Sequence, residues 1–161
     1  MGQLNLPDSS LVYIDTVIVI YSIEKFPGYF PLLEPMWQQL QARTIQIITS
    51  EITLLETLIM PIRQSNTDLI RRYEALLFSP EISLVAVNQT ILRSAATLRT
   101  QTNLKTPDAI HAATALNKGC TVFLTNDAAL RKVPGLSTVV SSNSPDNFKS
   151  PTVECGFQHH H

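Results

Sequence analysis

Short apolar runs recur along the chain, and between them lie longer stretches in which apolar residues return every three or four positions. Leu11-Val12-Tyr13-Ile14 is the first run and stops at Asp15-Thr16, which reads as a strand whose end carries an acid and a helix cap. Residues 17–23 follow as a mostly apolar segment, read as a buried helix that Pro27-Gly28 ends. Over residues 32–41 the spacing puts Leu33, Met36, Trp37 and Leu40 on one helix face. Residues 45–48 form a second strand, after which Thr49-Ser50 caps a helix through Glu51, Leu54, Leu55 and Leu58 to Met60, before Pro61. Residues 67–78 read as an amphipathic helix, with Leu69, Ile70, Tyr73 and Leu77 inward and Arg71, Arg72 and Glu74 outward, closed by Pro80.

A third strand over 82–87 leads to Asn88, which caps a helix reaching about Thr102. The next helix opens with Thr106 as a natural N-cap, Pro107 at the first helical position and Asp108 in the first turn, and Gly119 is placed to end it. Residues 121–124 are β-branched and apolar enough for a strand covered on both faces, and Asn126-Asp127 marks its exit. A short helix over 128–133, a Pro134-Gly135 turn and a fifth strand over 136–140 complete the pattern. Strands alternating with helices indicate an α/β domain with a mostly parallel sheet, because parallel neighbours need crossovers. Residues 1–10 read as a flexible lead-in and residues 141–161 as a mobile tail.

Composition changes this picture little. With 161 residues, 44% hydrophobic and 16% charged, the chain suits one compact core and excludes wholesale disorder. No apolar stretch approaches the ~20 residues needed to span a bilayer, and nothing at the N-terminus has the make-up of a signal peptide, so a cytoplasmic location is the expectation. Cys120 and Cys155 offer neither a disulfide framework nor metal-ligand spacing. His159, His160 and His161 read as a purification-tag remnant, which leaves His111 as the one histidine to consider. A net charge of -1 gives no vote for nucleic acid, so any such binding needs a local basic patch.

The candidate chemistry lies in carboxylates. In parallel sheets ligands collect at the carboxyl ends of strands, where Asp15 and Asp127 fall, and Asp108 heads a helix of the same half. Several carboxylates in one pocket repel one another unless some are protonated or a cation is present. Oxygen-only ligands suit Mg²⁺ or Mn²⁺, which can activate a water and stabilise the leaving oxygen of a phosphodiester. Each acid also has a plainer role. Asp15 can cap a helix, Asp108 can interact with a helix dipole, and Asp127 can occupy a turn. Glu56 can belong to a capping box begun by Thr53, and Glu51 is its rival as the second acid. His111 reads more readily as packed or surface than as a ligand, and Lys105, Arg131 and Lys132 are basic residues near the mouth.

Four blocks resemble the PIN-domain ribonucleases, and in particular the VapC-type toxins of toxin-antitoxin pairs: Tyr-Ile-Asp15-Thr16, Ser50-Glu-Ile-Thr53-Leu-Leu-Glu56, Thr-Pro-Asp108-Ala-Ile-His-Ala-Ala and Leu-Thr125-Asn126-Asp127. They span a nuclease-like domain over residues 11–140. The resemblance implies a three-layer α/β/α fold with a five-stranded sheet, and an Mg²⁺ or Mn²⁺ site made by Asp15, Glu56, Asp108 and Asp127. It also implies endonucleolytic RNA cleavage, a homodimer and a cognate antitoxin. Thr16, Lys105, Thr125 and Asn126 are the candidate substrate contacts. Val17 departs from the family's frequent polar residue two positions after the first acid, which bears on a supporting hydrogen bond there.

Two other functions compete. A non-catalytic PIN-fold module would bind RNA or protein without metal chemistry. A phosphatase or receiver-like domain would need a lysine at a strand end, and the pattern places none there.

Overall fold

In the computed structural model, which describes residues 4–140, five parallel strands form one sheet in the order β3-β2-β1-β4-β5. The strands are β1 (Leu11–Ile14), β2 (Gln46–Ser50), β3 (Ile82–Val85), β4 (Val122–Thr125) and β5 (Thr138–Val140). The helices are α1 (Thr16–Ile23), α2 (Phe30–Gln41), α3 (Glu51–Arg63), α4 (Thr67–Leu77), α5 (Gln89–Gln101) and α6 (Thr106–Asn117), and a 3-10 helix covers Ala128–Lys132. The α/β/α expectation therefore holds.

Side chains alternate across the sheet, and β1 shows how this builds two apolar layers. Val12 and Ile14 point to one face, where Ile18, Leu33, Met36, Tyr73 and Leu77 from α1, α2 and α4 cover them. Tyr13 points to the other, where it stacks on Phe123 with ring centroids 5.0 Å apart beneath α5 and α6. Ala109, Ala112, Ala113 and Ala115 are all buried, so α6 presents small side chains to the sheet and approaches it closely.

The connection from β1 runs to β2 on one side, and the chain later returns to place β4 on the other. The reversal of strand order therefore lies between β1 and β4, and outside their carboxyl ends is where such sheets open a crevice. Asp15 and Asp127 stand just past those two ends.

Several boundaries differ from the sequence pattern. Helix α3 does not stop before Pro61 but runs to Arg63, with Pro61 buried inside it, and the turn comes later, at Ser65 with φ 55°. Thr106 is not the N-cap of α6. Lys105 holds that position without a side-chain cap, and the Thr106 hydroxyl in the first turn accepts a 2.9 Å hydrogen bond from Arg99. At the other end Gly119, at φ 67°, closes α6 as expected, with Cys120 N–H donating to Ala115 O at 3.0 Å to lead the chain into β4. Of the suggested N-terminal lead-in, Leu6 is buried, and Gln39 fastens it by accepting from its N–H at 3.3 Å and donating to its carbonyl at 2.7 Å. The suggested tail over 141–161, with Cys155 and the terminal histidines, lies outside the described residues.

Candidate active site

Asp15 is fixed from two sides. As N-cap of α1 its Oδ1 accepts from Ile18 N–H at 3.4 Å, and its Oδ2 accepts from the Thr125 hydroxyl at 2.5 Å. The side chain is 7% exposed. Burial pushes its carboxyl up to about 7; His111 and the Thr125 hydrogen bond oppose the rise, and the charge of Asp108 adds to it. Val17 packs against the core and offers no hydroxyl, so the support for Asp15 comes from Thr125 across the strand pair.

The next residue reaches a second acid. Thr16 Oγ1 donates to Glu56 Oε1 at 2.5 Å, from the first turn of α1 to the middle of α3. Glu56 is 6% exposed, whereas Glu51 at the start of α3 is exposed. The helix is capped by Ser50, whose hydroxyl accepts from Ile52 N–H at 3.1 Å, so Thr53 begins no capping box. Thr53 instead shares a 2.8 Å hydrogen bond with Thr49, whose hydroxyl also binds the Ile14 carbonyl at 2.7 Å. Of the two rival acids, Glu56 is the one that faces inward.

His111 completes this cluster. Its Nε2 lies 3.0 Å from Glu56 Oε1 and 3.1 Å from Thr16 Oγ1, and its Nδ1 lies 2.6 Å from Tyr13 Oη. The residue is 2% exposed. Burial alone lowers its pKa, but the hydrogen bond and charge of Glu56, with Asp15 and Asp108 beyond, leave it above its ordinary value. Asp108, half-buried in the first turn of α6, is one turn away from His111 and contributes to the field at both His111 and Asp15.

The remaining candidates are placed differently. Asp127 is exposed, and its Oδ1 accepts from Ala129 N–H at 2.9 Å as cap of the 3-10 helix, while its own N–H donates to Thr125 Oγ1 at 3.0 Å. The Asn126 amide donates to Tyr21 Oη at 2.6 Å, tying the end of β4 to α1. Lys105 is exposed at the start of α6. Asp15, Glu56 and Asp108 are thus linked through His111 and its field, with Asp127 at the rim.

Sequence reasoning read His111 more readily as packed or surface than as a ligand, and gave Tyr13 no part in the site. A histidine three positions after Asp108, on a helix face otherwise made of alanine, was the available signal, and Tyr13 gave none beyond its place in a strand.

Among the described residues, no three acidic, histidine or cysteine side chains stand grouped as a ready-made metal cage. The donor chemistry nonetheless fits a hard divalent ion at Asp15 and Asp108. Both offer carboxylate oxygens, and a cation beside them removes the penalty that burial and mutual repulsion place on ionising Asp15.

The PIN domain model matches residues 12–136. No curated protein matches the chain. Among solved structures, VapBC2 from Rickettsia felis, bound to a DNA fragment from its promoter, superposes with a TM-score of 0.66 at 17% identity, covering 82% of this chain and 100% of that one. A toxin-antitoxin complex from Klebsiella pneumoniae gives a TM-score of 0.60 at 23% identity, covering 81% and 98%. VapC20 of Mycobacterium tuberculosis, a toxin that cleaves the sarcin-ricin loop, gives 0.58 at 16% identity, covering 70% and 86%. At these identities the structures speak for the fold. The family model, which spans most of the chain, does more, and with the acids at the β1–β4 edge it shows that this chain belongs to the PIN-domain family.

Proposed function

We propose that this chain is an Mg²⁺- or Mn²⁺-dependent endoribonuclease and the toxin of a VapBC-type toxin-antitoxin pair. The observation that carries the reading is Asp15. It is a buried carboxyl at the strand-order reversal of a parallel sheet, held by Thr125 and raised to about 7 by burial, with the Asp108 charge adding to the rise. A carboxyl so perturbed by burial and by a neighbouring acid, at the strand ends where ligands collect in such sheets, marks a functional-site candidate.

In this reading Asp15 and Asp108 hold the metal, Glu56 supplies a third carboxylate from α3, and Asp127 lies at the rim of the site. When bound, a divalent ion supplies an activated water and neutralises charge at the phosphodiester. Thr125 fixes the Asp15 carboxylate at the end of β4, and Thr16 keeps Glu56 turned toward α1. Lys105, exposed at the start of α6, is available to an RNA phosphate. The Asn126 amide serves the β4–α1 tie, which gives it a supporting place beside the substrate.

The partners follow from the same reading. The chain acts on RNA in the cytoplasm, pairs with a cognate antitoxin and forms a homodimer. The solved relatives support the antitoxin, since two of them are toxin-antitoxin structures. No helix among the described residues is long and apolar enough to cross a membrane.

The test is RNA cleavage by purified protein with Mg²⁺ or Mn²⁺ and with chelator. Cleavage is expected with metal, and it should vanish in Asp15→Asn and Asp108→Asn while circular dichroism reports an intact fold. Single-stranded and structured RNAs left whole by high concentrations of metal-loaded wild type overturn the reading. Tight protein or RNA binding under those conditions would point to the non-catalytic module.

A further inference from the structure

We propose that His111 is a positioning residue, clamped by Tyr13 and holding Glu56 in the one orientation that serves the acidic edge. The inference rests on the reading of that edge as a metal-dependent site, and concerns a residue outside its four acids.

The geometry begins in the sheet. Tyr13 is fully buried on β1, stacked on Phe123 and edge-on to the imidazole with centroids 5.7 Å apart. A side chain so packed has no freedom to swing its hydroxyl, which meets His111 Nδ1 at 2.6 Å. The imidazole is carried on α6 between two buried alanines of the chain, Ala109 and Ala112, in a helix pressed against the sheet. Its far nitrogen, Nε2, is thereby aimed at Glu56 Oε1 on α3, 3.0 Å away, and Thr16 donates to the same oxygen from α1. Elements α1, α3 and α6 thus meet at one carboxylate oxygen, and β1 backs them through the contact of Tyr13 with His111.

The direction of the hydrogen bond is the same in both plausible proton arrangements. When Tyr13 donates to Nδ1, the hydrogen of a neutral ring sits on Nε2 and is given to Glu56. When the ring is an imidazolium, both nitrogens donate and Nε2 still gives to Glu56. The remaining tautomer would set a bare Nε2 lone pair against a carboxylate oxygen 3.0 Å away, which is repulsive. His111 is therefore a donor to Glu56 regardless of its charge. Outer hydrogen bonds of this sort orient the carboxylates of a metal site, and their loss typically costs about 10–100-fold in metal affinity or activity.

Two substitutions separate this role from simple packing. Gln at position 111 can place an amide donor about where Nε2 sits, while Asn reaches only as far as Nδ1. Mn²⁺ binding by calorimetry on the purified chain should weaken about 10–100-fold in His111→Asn and recover most of that loss in His111→Gln. In a cycle with Glu56→Ala, which leaves nothing for the imidazole to orient, adding His111→Asn should cost nothing further, because the histidine acts through that carboxylate. A merely structural histidine would instead weaken binding by the same factor in either background, and that result, or wild-type affinity in a folded His111→Asn, overturns the proposal. Where His111→Asn does not fold, the imidazole ¹⁵N resonances of the wild type carry the test. Glu56→Gln should displace the Nε2 resonance, and an unmoved resonance overturns the proposal. Wild-type protein that binds no Mn²⁺ would sink the metal-dependent reading itself, an outcome distinct from wild-type binding that ignores His111.

Discussion

The Thr125 hydroxyl donates to Asp15 Oδ2 at 2.5 Å, so the ends of the two central strands, β1 and β4, are joined by a side-chain hydrogen bond just where the strand order reverses. The same hydroxyl accepts from Asp127 N–H at 3.0 Å, which leaves its proton for Asp15. Replacing Thr125 by Val keeps the shape and removes both contacts. Since a hydrogen bond to a charged group contributes about 1.5–3 kcal/mol, the Asp15 carboxyl should rise further and Thr125→Val should lose RNA cleavage about tenfold or more at neutral pH. Thr125→Ser should keep most of it. Equal activity of the Val and Ser variants, measured as initial rates at saturating metal, would count against a role for this hydroxyl.

The raised Asp15 carboxyl makes the metal-free protein sensitive to pH in a direction opposite to that of an ordinary paired carboxylate. Its folded pKa of about 7 lies above the usual 3.8, so between those values the fold binds a proton that the unfolded chain releases. Its contribution to stability is present in full below the ordinary value and is lost as pH rises through about 7. His111, also raised, acts in the same direction from its ordinary 6.5 upward. Denaturant titrations with chelator should therefore show wild type losing stability from pH 4 to pH 7 relative to Asp15→Asn, roughly in step with titration of the one carboxyl. Adding Mg²⁺ should restore stability at the upper end, by mass action on the folded state. Parallel pH profiles for the two proteins would remove Asp15 as the source.

Glu51 and Glu56 lie on the same helix, yet only one is turned into the fold. Glu51→Gln should leave cleavage within error and lower stability by at most about 1 kcal/mol, the usual contribution of an exposed first-turn acid through the helix dipole. Glu56→Gln should abolish or strongly reduce cleavage, because it removes the negative charge while leaving an amide oxygen for Thr16 and His111 to donate to. Reversal of these two results in a metal-dependent cleavage assay would reassign the second acid.

How much of this was legible depends on the range of the interaction. The runs at 11–14 and 121–124 identify β1 and β4 because a buried parallel strand is apolar throughout, and the acids at their ends follow from the chain alone. Pro61 and Thr106 misled because their local preferences did not set the boundaries: Pro61 lies buried inside α3, which runs on to Arg63, and α6 starts one residue earlier than a Thr106 cap requires. Val17 raised the question of what supports Asp15, and the answer lay 110 residues away at Thr125, a separation no local pattern can bridge. The cluster of Tyr13, His111, Glu56 and Thr16 was hidden for the same reason. Each residue has an ordinary local role, and only the meeting of four elements turns them toward one another.

Asn126 has two roles open to it. Its place beside Asp127 suggests a substrate contact, but its amide donates to Tyr21 Oη at 2.6 Å, and Tyr21 in turn stacks on Tyr29 with centroids 4.1 Å apart. This ties the loop after β4 to α1 and to the start of α2. Asn126→Ala should then lower stability by about 1 kcal/mol, the usual net worth of one such hydrogen bond, and Tyr21→Phe should do much the same. If the two act through their shared bond, the double variant should cost little more than either single change. Chemical denaturation of the four proteins reads this directly, and RNA affinity measured alongside separates the tie from a substrate contact. A loss of RNA binding in Asn126→Ala with no parallel loss in Tyr21→Phe would assign the amide to the substrate, whereas coupled losses of stability in both would assign it to the α1 tie.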